Sequence, residues 1–176
     1  SLRRPDLFKV GIDFGFIRHF PTIWSLTKGG DDAILTRVVR FFEKQGFHIR
    51  GAHEIAPSLL APDGTYGAVV PNEVHQSDIA LGTSLINALS PFDVGQAVVV
   101  ANGYVVAVEA AEGTDAMLKR AGELRQWGRK GRAGVLVKMP KIGQEMRIDM
   151  PAIGTRTVEL AAEAGLAGIA VASGKV

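Results

Sequence analysis

The sequence contains no cysteine. That excludes disulfides, thiolate catalysis and cysteine-based zinc sites, and it is compatible with a reducing compartment. No run approaches the ~18 uninterrupted apolar residues of a membrane span. No signal peptide is evident, because the charged stretch 1–9 is not followed by an apolar stretch of the right length. Charge is nearly balanced, with a net value of +2 and a sequence pI near 9.0. So small an excess makes no basic stripe for nucleic acid, and no RNA-recognition, zinc-finger or helix-turn-helix signature occurs. Three catalytic motifs are also missing: the GxxxxGK[ST] phosphate loop, the GxSxG elbow and the HExxH pair.

What is present suffices for one core of ordinary size. The 176 residues are 47% hydrophobic and 22% charged, a balance that belongs to folded rather than disordered chains. The first residue is not Met, and the chain stops at Gly174-Lys175-Val176, directly after an apolar strand pattern. It therefore reads as a piece of a longer protein. Residues 1–24, interrupted by Pro5, Gly11, Gly15 and Pro21, have no clean period and read as a linker or the tail of a preceding domain. Residues 25–176 carry the main domain, incomplete at its C-terminus.

The periods predict an α/β fold: a mixed sheet containing an Asn-Gly β-hairpin, flanked by helices. A first helix follows Gly29-Gly30, capped by Asp31 or Asp32, with Ile34, Leu35, Val38, Val39, Phe41 and Phe42 at helical spacing. Gly46 ends it, and Phe47-His48-Ile49-Arg50 reads as a short strand. The stretch 56–71, rich in Pro and Gly, is loop, and a second helix covers about 72–89 with Ile79, Leu85, Ile86 and Leu89 on its buried face. Ala97-Val98-Val99-Val100-Ala101 and Tyr104-Val105-Val106-Ala107-Val108 flank Asn102-Gly103, the pair a two-residue type I′ turn requires. That register sets Ala101 opposite Tyr104 and Gln96 opposite Glu109. The unbroken apolar runs predict a sheet covered on both faces. A third helix follows Gly113-Thr114, with Met117, Leu118, Ala121 and Leu124 inward, and Thr114 as its cap. Then come a basic loop over 125–132, a strand at Val135-Leu136-Val137, an irregular polar segment over 138–153, a helix over 155–164 stopped by Gly165, and a last strand at Gly168-Ile169-Ala170-Val171.

Chemistry is best placed at the corner Glu109 to Asp115, where a strand ends, Gly113 permits a bend and a helix starts. Unfilled N–H groups at a helix start favour anions, phosphate above all. Two readings of Asp115 stand. It complements the helix dipole, worth roughly 0.3–1 kcal/mol, or it meets a phosphate through bound Mg²⁺ or orients a water. Gln96 and Glu109 line the same end of the sheet, either as a sheet-end pair or as part of that site. The segment after the third strand concentrates Lys138, Gln144, Arg147 and Asp149; loops at strand ends are where α/β proteins build sites, and Lys and Arg neutralise phosphate. The alternative there is a solvated loop with an Arg147–Asp149 ion pair. Asp31-Asp32 reads as a cap rather than a metal pair, and His53-Glu54 has no second His at ligand spacing. Trp127, among Arg125, Arg129 and Lys130, marks either a surface loop or a membrane-surface patch.

Taken in order, several stretches resemble one family, the UDP-2,3-diacylglucosamine pyrophosphatases of the LpxI type. They are Gly30-Asp31-Asp32-Ala33, Gly46-Phe47, Gly51-Ala52-His53-Glu54 and Leu60-Ala61-Pro62-Asp63-Gly64. Asp93-Val94-Gly95-Gln96-Ala97-Val98-Val99-Val100 and Ala107-Val108-Glu109-Ala110-Ala111-Glu112-Gly113-Thr114-Asp115 follow. Gly134-Val135-Leu136-Val137-Lys138, Arg147-Ile148-Asp149-Met150-Pro151-Ala152-Ile153-Gly154 and Gly165-Leu166-Ala167-Gly168-Ile169-Ala170 complete the match. The resemblance implies that 25–176 is the C-terminal catalytic domain of a two-domain enzyme. It implies hydrolysis of the pyrophosphate of UDP-2,3-diacylglucosamine to lipid X and UMP, in lipid A biosynthesis, with Mg²⁺ or another divalent cation. Asp115 then matches the essential aspartate and a metal ligand. Gln96, Glu109, Thr114, Lys138, Arg147 and Asp149 are carried over as substrate-lining residues without fixed roles. In Gly143-Gln144-Glu145-Met146-Arg147 the pattern departs from a more regular Gln-Asp-x-Arg, with Glu145 where an aspartate is expected.

The partners this implies are UDP-2,3-diacylglucosamine, lipid X and, transiently, the surface of the inner membrane, with a cytoplasmic, peripheral location; a homodimer is compatible with it. A rival class is a non-catalytic nucleotide-sugar or lipid-binding module, which keeps a helix-start anion site but does not need Asp115. A third is an interaction domain using the sheet edge, which needs no metal-dependent ligand.

Overall fold

The computed structural model describes residues 19, 24, 31–125 and 131–176. Most of the segment 1–24, and Trp127 with its basic neighbours Arg129 and Lys130, lie outside the described residues. The elements run α1 (Asp31–Lys44), α2 (Ala52–Ile55), α3 (Glu73–Leu89), β1 (Ala97–Ala101), β2 (Tyr104–Val108), α4 (Thr114–Leu124), β3 (Val135–Lys138), α5 (Thr155–Glu163) and β4 (Gly168–Val171), with short 3₁₀ turns at Pro57–Leu59 and Ser90–Phe92.

The strands form one mixed sheet in the order β2-β1-β3-β4. β1 runs antiparallel to both β2 and β3, and β3 pairs parallel with β4. Asn102 and Gly103 have φ of 53° and 75°, the left-handed pair the tight turn demands, and Ala101 faces Tyr104 as the sequence predicts. The regular register fails further along. Val100 pairs with Val105 but Val99 with Ala107, so Val106 is an extra, bulged residue. In consequence Glu109 donates its N–H to the Ala97 carbonyl (2.9 Å), and Gln96 is not its cross-strand partner.

Side chains alternate across the sheet and divide the core in two. Val98, Val100, Val135 and Val137 pack with Ile86 of α3. On the other face Ala97, Val99, Ala107 and Leu136 pack with Met117, Leu118 and Ala121 of α4 and Leu160 and Ala161 of α5. Both faces are thus covered, as the unbroken valine runs require. Helix α3 comes closest at Gly82, where an added Cβ would stand 2.7 Å from Val137 Cγ2 and 3.0 Å from Val98 Cγ1. Asn72 caps α3 by accepting the His75 N–H (2.9 Å).

Three local expectations change. Phe47-His48-Ile49-Arg50 is not a strand. Gly46 (φ 88°) donates its N–H to Glu43 and Phe47 donates to Phe42, so these residues close the end of α1 in a Schellman-type stop, with the Phe42 and Phe47 rings 5.9 Å apart. Asp32 does not serve as the cap; its Oδ1 accepts the Glu145 N–H (2.8 Å). Leu124, expected inward, is exposed at the last turn of α4.

Candidate functional site

Three strand ends meet at one end of the sheet: the start of β1, the end of β2 and the end of β3, where Ala97 pairs with Lys138. The two-residue alternation puts Lys138 on the face of Leu136 and Glu109 on the face of Ala107, which is the face α4 covers. Gly113, with φ of 81°, turns the chain into α4 and occupies the N-cap position. Thr114 is therefore the first helical residue rather than the cap, and its hydroxyl is available for another use. It donates to Glu109 Oε1 (2.9 Å) and accepts from Lys138 Nζ (2.9 Å). Glu109 Oε2 accepts the backbone N–H of Gln96 (3.0 Å). Lys138, Thr114 and Glu109 are all buried, in a chain of ammonium, hydroxyl and carboxylate. Burial pulls the Lys138 ammonium below the ordinary lysine value, an effect partly offset by the negative charges of Glu109 and Asp115.

These residues line a cleft of about 400 Å³ with Gln96, Asp115 and Thr157. The first intrahelical bond of α4 runs from the Met117 N–H to the Gly113 carbonyl (3.1 Å), so the N–H groups of Thr114, Asp115 and Ala116 precede the helical ladder. Asp115 sits at the rim, 48% exposed, and its Oδ2 accepts from Arg156 Nε (2.7 Å). The cleft's far wall is Met150, Pro151 and Ala152. The same three residues also line a larger, mostly apolar groove of about 680 Å³, with Leu60, Met146 and Ile153.

Gln96, Glu109, Thr114, Asp115 and Lys138 thus come together as the sequence predicts. Arg147 and Asp149 do not line this cleft. Arg147 is held by Glu145 through Nε and Nη2 (2.8 and 2.7 Å) and by Glu43 through Nη1 (2.6 Å), and these carboxylates hold it protonated. No Arg147–Asp149 pair forms; Asp149 Oδ2 accepts from Gln144 Nε2 (2.8 Å). Two contributors have no signal in the sequence, Arg156 and Thr157, both delivered by packing of α5 on α4. Met150, Pro151 and Ala152 lie in a stretch that carries the family resemblance, but nothing in their spacing marks them as a wall of the cleft.

For a divalent cation, the donor set fits one mode only. No group of three or more His, Asp or Glu able to hold a metal occurs among the described residues. Both Glu109 oxygens are engaged, and Glu112 is paired with Arg120 (2.5 Å). Asp115 is paired with Arg156 through Oδ2, but it is half-exposed at the cleft mouth and has its other oxygen, Oδ1, to offer, whereas Glu112 has both oxygens engaged, by Arg120 and the Ala110 N–H. That matches a Mg²⁺ shared between one carboxylate, water and a ligand's phosphates, not an all-protein cage.

Fold and cleft together define an α/β domain with a polar, charged cleft at its strand ends, beside the start of a helix. Residues 62–176 match the family described as LpxI C-terminal domain, and residues 1–59 match LpxI N-terminal domain. The chain belongs to the LpxI family. It is 42% identical over 180 residues to the UDP-2,3-diacylglucosamine pyrophosphatase LpxI of Caulobacter vibrioides. That alignment covers 100% of this chain and 64% of the relative, so the chain spans a little under two thirds of the relative's length.

Proposed function

We propose that the protein hydrolyses the pyrophosphate of UDP-2,3-diacylglucosamine to lipid X and UMP, a step of lipid A biosynthesis. The observation that carries this reading is the contiguity of two unlike hollows. A cleft with a buried ammonium and unfilled helix-start N–H groups shares the wall Met150 to Ala152 with an apolar groove. A diphosphate suits the first, and acyl chains suit the second. Family membership and the relative's name point the same way.

Lys138 and the first-turn N–H groups of α4 offset the charge that gathers on phosphoryl oxygens. Water attacks the β-phosphorus, its oxygen staying with lipid X while UMP departs with the bridging oxygen. Mg²⁺ or another divalent cation, held in part by Asp115, would supply further charge neutralisation on the diphosphate. Arg147 gives no charge to the diphosphate in this reading, because three acid contacts hold it away from the cleft; it borders the apolar groove instead. Acylated substrate and product imply transient contact with the inner-membrane surface and a cytoplasmic, peripheral location. No helix among the described residues is long and apolar enough to cross a membrane.

Asp115→Ala is the test. Turnover of UDP-2,3-diacylglucosamine is expected to fall at least about 100-fold while equilibrium binding of that substrate persists. Wild-type protein that binds the substrate and never turns it over would make this a binding module instead. Absence of any metal-dependent binding would remove both readings.

A further inference from the structure

Three carboxylates line the cleft; Glu112 is paired with Arg120, and the other two have opposite settings. Asp115 faces outward at the rim. Glu109 is buried, and each of its oxygens already has a partner: Oε2 the Gln96 N–H, Oε1 the Thr114 hydroxyl. Its backbone is equally fixed, with its N–H on the Ala97 carbonyl. Its carbonyl is approached so closely by Gly95 that a Cβ there would stand 2.1 Å from it. Gly95 itself has φ of 50°, so both its conformation and its neighbour hold the position to glycine.

The direction of the hydrogen bonds follows from valence. An ammonium has donors and no acceptor, so the Thr114 oxygen must accept from Lys138. Its single hydrogen is then committed to Glu109. One carboxylate therefore sets the rotor of Thr114, and Thr114 sets where Lys138 Nζ sits. Thr114 is the protein acceptor that the described residues offer this nitrogen, and the other two N–H bonds of the ammonium remain for the cleft that Lys138 lines.

We propose that Glu109 is a positioning residue: acting through Thr114, it holds Lys138 aimed at an anionic ligand, and it binds neither substrate nor cation itself. This rests on reading the cleft as a diphosphate site. The positioning chain links β2, α4 and β3, so the cation's place is set by the same packing that forms the sheet end.

The test compares Glu109→Gln, Thr114→Val, Thr114→Ser and the Glu109→Gln/Thr114→Val double variant in the whole protein, with UDP-2,3-diacylglucosamine as substrate. Glu109→Gln and Thr114→Val are each expected to lower kcat about 100-fold with KM changed less than about threefold. Thr114→Ser keeps the hydroxyl and is expected to stay within about threefold of wild type. Because both residues act through one nitrogen, the double variant is expected to be no worse than about threefold below the weaker single variant. Multiplicative losses in the double variant, or a kcat near wild type in Thr114→Val, would overturn the proposal. So would a Glu109→Gln variant whose defect is a raised KM or a raised Mg²⁺ requirement, since that marks a direct ligand. If Glu109→Gln does not fold, the Thr114 pair decides alone. If wild-type protein shows no turnover, the diphosphatase reading fails, and calorimetry with inorganic pyrophosphate tests the positioning chain independently. Binding weakened at least about tenfold by Glu109→Gln and Thr114→Val but kept by Thr114→Ser supports it; equal binding by all four proteins refutes it.

Discussion

Asp78 is fully buried in α3, yet a lone carboxylate in a core is costly. It is retained because the two positive-φ residues of the hairpin turn point their N–H groups at it: Asn102 at 2.9 Å and Gly103 at 2.6 Å. Asp78→Ala removes both charge-assisted bonds that tie the exposed turn residues Asn102 and Gly103 to α3 and is expected to destabilise the protein by about 3 kcal/mol, read as a lowered urea midpoint at unchanged m-value. Lys138 is another buried charge, and its effect carries a pH sign. Burial holds its ammonium below the ordinary value of 10.5. Between the depressed folded value and 10.5 the unfolded chain binds the proton and the folded chain does not, so stability rises with pH in that window. Lys138→Met is expected to abolish this rise, measured as the difference between the two proteins' urea stabilities across the interval below 10.5. The five cleft residues named from sequence were legible for a local reason: they lie at strand ends or a helix start, where spacing alone assigns a position. Arg156 was not, since it reaches Asp115 from 41 residues away by packing of α5 on α4.

At the level of elements, periodicity did most where both flanks were punctuated. The Asn-Gly turn, the Gly46 and Gly165 stops and the Gly113 bend place the hairpin and the helices, and the structure follows them closely. It departs where tertiary contacts compete with pattern. Phe47 to Arg50 alternates like a strand, but Phe47 packs against Phe42 across the helix stop instead. The Val106 bulge has no sequence mark, since valine there looks like any strand residue. Gly82 offers a measurable conflict between propensity and packing. Alanine in α3 gains about 1 kcal/mol of helix propensity over glycine, but its Cβ would overlap Val137 and Val98 side chains anchored in the sheet. Overpacking of that kind costs about 1–3 kcal/mol. Gly82→Ala is therefore expected to be neutral to destabilising, the opposite of an exposed helix glycine, with a thermal midpoint no higher than wild type.

Over the whole molecule, the segment after β3 acts as a brace. Lys141 pairs with Asp93 beyond the end of α3, Ile142 donates to Ser90, Glu145 donates its N–H to Asp32, and Arg147 reaches Glu43. The last two contacts join α1 to the C-terminal part of the chain across more than 100 residues of sequence, which is why Arg147 was read as a cleft residue from its neighbourhood alone. Arg147 also holds the Glu145 carboxyl below its ordinary value of 4.5. A depressed carboxyl contributes stability that is present above 4.5 and is lost as pH falls through the folded value. Glu145→Gln is expected to be less stable than wild type at neutral pH, the two curves converging in acid below 4.5, measured by urea unfolding at a series of pH values.

Because Met150, Pro151 and Ala152 bound both hollows at once, a change at any of the three reshapes both. Pro151 is fully enclosed and anchors the middle of this partition, with Met150 half-buried and Ala152 exposed on either side of it. An occupant greasy at one end and ionic at the other, lying in both hollows, would cross over at that sill. Its own hinge between the two chemistries is then gauged against a fixed thickness of protein, which makes the partition a ruler for how far from the charged end an alkyl branch begins.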